Sequence, residues 1–581
     1  MSTVSTLVGF ISFQFLQRYL CISLTPSENV LLLSVSTAAG SMAVTAGFIN
    51  VIPALEFLIS SEENGPLRLS TRSLVLWSIG VCLFGLAFAS LFRKHFVVRE
   101  RLPWPGAKGV ANSINTLHRR NMRPDTGDLS ADHEANGQEN DGEEAEQSNV
   151  TREEALLTPQ PTVGGIRWER SLQSLVRGYL LSWCLGMIIY FVPVLRELPI
   201  FGRTASKNWL WSVDFSPGFF GQGMMAGPVV PLHTMMGAVA GWGILSPYAK
   251  KQGWAPGDLW WFTLREVVFS SDATAASDKE NDEDTDTCHD CSFSFADRRR
   301  LVLYFLGSVL ICAASVHVTF EPVVSWYHTV LALALALPMA VVGIRSVAET
   351  DHKPECGLIS QLIFGTLLSS SNPNAIITNL LSSAVSQAGA SQSGGVSHKF
   401  RTGQLVGSSP QDQLCGHIIG SIVGALASCG IYRLYASQHF IPGSLFRIPA
   451  AFLFLNTARL AMGNGLPKSV APFAIGAAVF SATSSIAKMR YADRWWQAFI
   501  PTGVSFAIGI YNTPSFTITR IMGGLFYWAY AKYRRGKGKE NNDILVLASG
   551  LVLGESVAGL TGIASTIMFK GSAQVNIEVD S

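Results

Sequence analysis

The sequence predicts an all-α, polytopic integral membrane bundle with broken or re-entrant helices. Three observations carry that expectation. Charged residues make up 14% of the chain and hydrophobic ones 48%, against about a quarter charged in soluble domains, and the mean hydropathy is +0.28. Apolar runs of roughly eighteen residues or more recur along the chain, each long enough to cross about 30 Å of hydrocarbon. Glycine, proline and amide residues interrupt several of them, and broken backbone at bilayer depth survives only where protein or water covers it. Apolar length gives roughly thirteen to fifteen membrane segments.

The same composition excludes other classes. A net charge of +2 over 581 residues, placed mostly in loops between spans, argues for the lipid bilayer as partner and against nucleic acid. Most of the nine cysteines sit in or beside apolar runs and read as small buried hydrophobes. Cys288 and Cys291 form a lone CxxC without the second pair that a zinc site needs. No metal site and no cofactor is expected.

Residues 1–98 hold the first membrane segments. Leu7 to Leu24 is a candidate span, and Thr25-Pro26-Ser27-Glu28 spells a capped helix start. The run Val30 to Leu58 is too long for one upright span and is broken at Gly40, Gly47 and Pro53, with Glu56 near its end. Ser73 to Phe92 is a clear span. Residues 99–171 form a loop with arginine-rich flanks, cytoplasmic by the positive-inside rule, and 124–155 is acidic and disordered.

Residues 172–248 return to the membrane. Gly178 to Leu195 is a span, and Ser216 to Ser246 splits at Gly227-Pro228-Val229-Val230-Pro231. Two half-helices that dip in and return are expected there, the alternative being one kinked span. Residues 249–299 form a second acidic cytoplasmic loop. Residues 300–568 carry the C-terminal segments, including a central stretch at 348–413, and 569–581 is a tail.

The central stretch is unusual. It begins at Glu349-Thr350-Asp351, breaks near Asn372-Pro373, and continues as a run with Asn379, Ser382, Ser383, Ser386 and Gln387. Polar groups at that depth are costly unless they face other helices or a wet cavity. A loose likeness between Leu32–Ser41 and Leu380–Ala390 hints at duplicated halves.

Several ordered motifs resemble the oligopeptide transporter superfamily. They include Glu28-Asn29-Val30, Ile52-Pro53-Ala54-Leu55, Gly221-Gln222-Gly223-Met224, Gly241-Trp242-Gly243, Ala348-Glu349-Thr350-Asp351, Ser383 to Gly389, Pro410-Gln411-Asp412-Gln413 and Pro501-Thr502-Gly503. The Asn-Pro-Gly and Lys-Ile-Pro-Pro-Arg motifs of the peptide-transporting branch are absent, so the chain is more similar to the yellow stripe-like branch that carries metal–chelate complexes. The glycine-rich span that precedes the segment matching Leu7 to Leu24 in that family is missing as well.

The resemblance implies a secondary active, proton-coupled transporter of small peptides or metal–chelate complexes of the siderophore or nicotianamine kind. Coupling needs a carboxylate whose surroundings change during the cycle, and Glu349, Asp351, Glu56 and Glu555 are the candidates. A zwitterionic cargo needs neutral donors and acceptors, for which Gln222, His233, Gln361, Asn379, Gln387, Gln392 and Tyr511 qualify. The alternative for the amides is that they bond helix to helix, at about 1 kcal/mol each. Lys399 and Arg401 would attract a carboxylate or mark a cytoplasmic edge. No phosphate-binding loop, HExxH or GxSxG is present, so no catalytic residue is expected. A non-transporting or truncated member, or a membrane-embedded enzyme, is the alternative. The plasma membrane is the expected location, an internal membrane the alternative, and oligomeric state stays open.

Overall fold

The computed structural model describes residues 2–20, 24–100, 102–118, 163–192, 195, 198–252, 295–321, 323–368, 372–438, 441, 448–463, 470–491, 494–535, 544–559 and 561–562. The acidic stretches at 124–155 and 278–290, Cys288, Cys291, Ser369–Ser371 and the tail lie outside them.

In chain order α1 spans Ser2–Leu20, α2 Pro26–Thr45, α3 Val51–Pro53, α4 Thr71–Arg93, α5 Pro105–Leu117, α6 Val163–Phe191, α7 Arg203–Trp209, α8 Pro217–Ala226, α9 Val229–Ala238 and α10 Ser246–Lys251. Then α11 spans Phe295–Phe320, α12 Trp326–Thr350, α13 Cys356–Leu367, α14 Ala375–Val406, α15 Pro410–Gln438, α16 Pro449–Gly463, α17 Val470–Arg490, α18 Gly503–Tyr511, α19 Pro514–Arg535 and α20 Ile544–Gly559. Among the described residues there is no strand, only an isolated bridge between Leu198 and Val213. Among the described residues, six helical stretches are long and apolar enough to cross a membrane, including Thr71–Arg99, Trp326–Thr350 and Pro410–Ser437. The chain is a multi-pass helical membrane protein.

Local signals explain the ends. The box at Thr25 forms: Thr25 N donates to Glu28 Oε2 at 2.7 Å and Glu28 N donates to Thr25 Oγ1 at 3.3 Å. α2 runs through Gly40 and stops at Thr45, where Gly47 adopts φ +81°, a conformation that favours glycine. The segment at 105–117, expected as part of a loop, folds instead as α5. Proline occupies its first turn, and Gly106, Ala107, Gly109, Ala111 and Ile114 are buried.

Burial sorts the helices. The apolar window of α4 is 72% buried and that of α11 only 22%, so α11 turns Leu303, Leu310 and Val318 outward, as a lipid-facing helix does. The centre is α14. It contacts α12, α4, α13, α2 and α5, and it buries Asn379, Ser383, Gln387, Ser393 and Lys399 along with its apolar residues.

A repetition appears that the likeness of Leu32–Ser41 to Leu380–Ala390 did not locate. Residues 217–242 and 503–528 align without a gap. Phe220 matches Phe506, Gly223 matches Gly509, Pro228 matches Pro514, Met236 matches Met522, Gly237 matches Gly523 and Trp242 matches Trp528. Each unit is a half-helix, a break ahead of the shared proline, and a long helix: α8 then α9 continuing through a π segment to Lys251, and α18 then α19. The expected dip-and-return at Ser216–Ser246 is therefore a half-helix followed by a span-length helix. The runs read as separate spans at Trp496–Tyr511 and Phe516–Trp528 are a 3-10 turn with a half-helix, and a long helix.

The two units lock together reciprocally. A β-carbon at Gly223 would overlap the Arg520 carbonyl, and one at Gly523 the Phe220 carbonyl. A β-carbon at Gly509 would overlap the Thr234 carbonyl, and one at Gly237 the Phe506 carbonyl. Each half-helix thus lies antiparallel on the other unit's long helix. The equivalent residues make equivalent contacts, as a pseudo-two-fold axis requires.

Candidate substrate and proton site

The site begins where α12 ends. Asp351 takes a left-handed conformation (φ +59°) that aspartate tolerates better than most residues, and its N–H donates to Val347 O at 3.0 Å. Thr350 Oγ1 donates to Ser346 O at 2.6 Å, and Ser346 Oγ donates to His352 O at 2.8 Å, so the turn is fixed by its own side chains. Extended chain from His352 then leads to α13.

This turn presents Asp351 to α14. Asp351 Oδ1 lies 3.2 Å from His398 Nε2; the Asp351 side chain is 30% exposed and that of His398 only 6%. The pair thus reaches from an open face into the core. Lys399 Nζ lies 3.3 Å from His398 Nδ1, and the Lys353 ammonium lies over Gly395. Lys399 is 8% exposed, which places it inside the bundle and not at an aqueous edge. The Asp351 carboxylate also lies so close to Gly106 that a β-carbon there would overlap it. Gly106 is in the first turn of α5, whose positive end favours an anion. Trp104 N donates to Ala348 O at 2.8 Å and pins that turn in place.

The second repeat unit holds the same turn from another side. Arg520 of α19, 2% exposed, donates from Nη2 to Thr350 O at 2.8 Å and stacks over the Phe516 ring at 5.2 Å. Glu349 engages the side chain of Thr502, which precedes α18, while its Oε2 is buried without a hydrogen bond. Glu555 does the matching job in the first unit. It accepts from Ser216 Oγ at 2.8 and 2.7 Å and from Gly218 N at the start of α8. A carboxylate therefore stands at the N-terminus of each half-helix, where the helix dipole favours it.

Between the start of the first unit and the break of the second is a cleft of about 290 Å³, lined by Asp214, Phe219, Tyr511, Asn512, Thr513 and Phe516 among others. The His352 ring lies 6.3 Å from that of Tyr511 and 6.2 Å from that of Phe516. The cleft thus abuts the Asp351 turn through His352.

The other sequence candidates are spread through the bundle. Gln387 accepts from Gly357 N at 2.7 Å and donates to Glu355 Oε2 at 2.9 Å, holding the start of α13 to α14. Gln361 donates to Phe454 O at 2.9 Å, Asn379 to Gln361 O at 2.9 Å and Gln392 to Ser421 Oγ at 3.3 Å. Each of those three keeps a buried side-chain oxygen without a hydrogen bond. Gln222 is half-buried on α8, and His233 Nε2 lies 2.8 Å from Ala498 O. Glu56 is bound to Tyr432 Oη at 2.6 Å and Arg433 Nη2 at 3.0 Å, away from the turn. The fold brings Tyr511 to the Asp351 turn through His352 and Glu349 to Thr502, and leaves Gln361, Asn379, Gln387 and Gln392 bridging helices. His398, Lys353 and Arg520 escaped sequence reasoning. For Arg520 the alignment of the two units was the available signal, since it stands opposite Thr234.

A family model described as OPT oligopeptide transporter protein matches residues 1–286 and 296–566. The chain belongs to the oligopeptide transporter family. It is 30% identical to the "Putative oligopeptide transporter" of Saccharomyces cerevisiae, over 91% of this chain and 86% of that one. It is 23% identical to a metal-nicotianamine transporter of Oryza sativa subsp. japonica, over 92% of this chain and 80% of that one. Membership of the oligopeptide transporter family makes this a membrane transporter, in agreement with the bundle and its broken helices.

Proposed function

We propose that this member of the family is a secondary active, proton-coupled carrier of small peptides or metal–chelate complexes, the metal travelling as cargo inside its chelator. The observation that carries the proposal is the Asp351–His398 pair, a partly exposed carboxylate on a buried ring, near a cleft whose Tyr511 and Phe516 rings face His352. The Asp351 carboxylate holds the buried His398 ring most strongly while it is ionised and accepts from Nε2. Protonation of Asp351 removes the pair's attraction and frees the turn between α12 and α13. Deprotonation restores the pair, so proton occupancy and turn position are linked. Tyr511 and Asn512 supply neutral hydrogen-bonding groups to a zwitterion, and Lys353 supplies a cation for its carboxylates. The yeast relative's name favours peptide cargo and the rice relative's name favours a metal chelate. Import across the plasma membrane is the setting this reading adopts.

The test is uptake of iron–nicotianamine and of a labelled tripeptide into proteoliposomes, with and without an imposed pH gradient. Wild-type uptake should follow the gradient. Asp351→Asn should lose gradient-driven accumulation and retain exchange of cargo at equal pH. Uptake of neither cargo by the wild type, or accumulation by Asp351→Asn that still follows the gradient, would sink the proposal.

A further inference from the structure

We infer that Arg520 is a positioning residue that couples the cleft to the Asp351–His398 pair. The inference rests on the proton-coupled reading above and assigns the part that links cargo to proton. Thr234, the residue equivalent to Arg520, bonds within its own helix, its Oγ1 donating to Pro231 O at 2.9 Å. Both positions put their backbone carbonyl against a glycine of the opposite unit, so the scaffold at this crossing needs only the main chain. The long arginine side chain is an addition to it. It leaves the crossing and ends on another helix, at the Thr350 carbonyl.

That end point is specific. Thr350 lies between Glu349 and Asp351, and a carbonyl at a helix C-terminus is a strong acceptor for a cation. Along its length the same guanidinium covers Phe516, which lines the cleft. The route is short and contiguous: cleft, Phe516, Arg520, Thr350, Asp351, His398. Coupling needs such a physical link and an element with two arrangements. Here the element is the α12–α13 turn, held from one side by Arg520 and from the other by His398. The charged groups around the pair are Lys353 and Glu355 on the turn's own segment, Lys399 on α14 and Arg520 on α19, with the buried, neutral His417 of α15 beside the lysines, so loss of one cation leaves the pair paired. A change at Arg520 acts through where Asp351 stands and leaves the identity of the titrating group alone.

The experiment uses the full chain in proteoliposomes with an internal pH-sensitive dye, and iron–nicotianamine and a tripeptide as probes. The readouts are protons moved per cargo and the pH profile of uptake KM. Arg520→Gln should lower protons per cargo about ten-fold, within the usual span of coupling between sites, and flatten the pH profile. Cargo exchange at equal pH should change by less than about two-fold. Arg520→Lys, which keeps a cation but not the fork, should restore much of the ratio. Wild-type stoichiometry in Arg520→Gln overturns the inference. So does parallel loss of exchange and proton movement that Arg520→Lys fails to restore, because that pattern marks a purely structural arginine. If Asp351→Asn also keeps its gradient dependence, the Asp351 reading fails; if Asp351→Asn uncouples and Arg520→Gln does not, only the present inference fails.

Discussion

Unit one, residues 217–242, and unit two, residues 503–528, share their glycine contacts and differ in what surrounds them. At the break, the first carries Met225, Ala226 and Gly227 where the second carries Tyr511, Asn512 and Thr513. On the long helix, Thr234 stands where the second has Arg520. Both half-helices end their N-terminal side on a carboxylate, but Glu555 is fully hydrogen-bonded and Glu349 keeps an open oxygen. The shared features are those that let two backbones touch. The unshared ones gather at the cleft and at the Asp351 turn. Packing in a membrane rests on small residues and close contact, so a duplicated crossing can keep its glycines while one copy takes on polar chemistry.

The strongest test of the shared part is to fill it. Gly523→Leu and Gly237→Leu should each abolish folded protein, because a side chain would enter a backbone contact and overpacking costs about 3 kcal/mol or more. The yield of monodisperse protein in detergent is the measurement. A large loss in one and none in the other would break the equivalence of the units.

Next comes the turn that only the second unit holds. Gly106→Ala places a methyl where the Asp351 carboxylate sits. Gradient-driven uptake should drop about ten-fold, in line with the loss of one charged hydrogen bond, while protein yield is maintained. A smaller effect is expected at the breaks. Asn512→Ala makes the second break resemble the first and should raise uptake KM about five-fold through loss of one hydrogen bond to cargo. Ala226→Asn, the reverse change in the first unit, should leave KM within error, and a matched rise in both would contradict the division of labour.

The smallest expected effect lies outside both units, at Glu63 and Arg459, whose Nε–Oε1 distance is 2.7 Å. The hydrogen bond from Arg459 holds the Glu63 carboxyl below its ordinary value of 4.5. A lowered carboxylate adds stability that is present above 4.5 and lost as pH falls through the lower folded value. The pair is partly exposed, so Glu63→Gln should cost about 0.5 kcal/mol at neutral pH and nothing in strong acid. Thermal unfolding in detergent at the two pH values measures the difference.

Local chemistry is legible in the sequence. The Thr25 and Glu28 box forms as written because capping depends on residues three apart. The stretch at 348–413 stood out because its polar groups are too many for a lipid-facing helix, and it does supply the helix at the centre of the bundle. Which of its side chains meet cargo was not legible. Gln361, Asn379 and Gln387 look identical in a sequence whether they line water or bridge helices, and the fold gives them Phe454, Gln361 O and Gly357 as partners. α5 was missed because Pro105-Gly106-Ala107-Lys108-Gly109 reads as loop until its small residues are seen to admit another helix.

The sequence alone determined the solvent and the family: hydrocarbon-length apolar runs demand a bilayer, and the ordered motifs from Glu28 to Tyr511 belong to one group of carriers. Only the tertiary structure decided that Asp351 meets His398, that Gly106 makes room for the carboxylate, and that Arg520 reaches Thr350. Those partners lie tens to hundreds of residues apart, and their distances follow from how backbones cross, which no local pattern encodes.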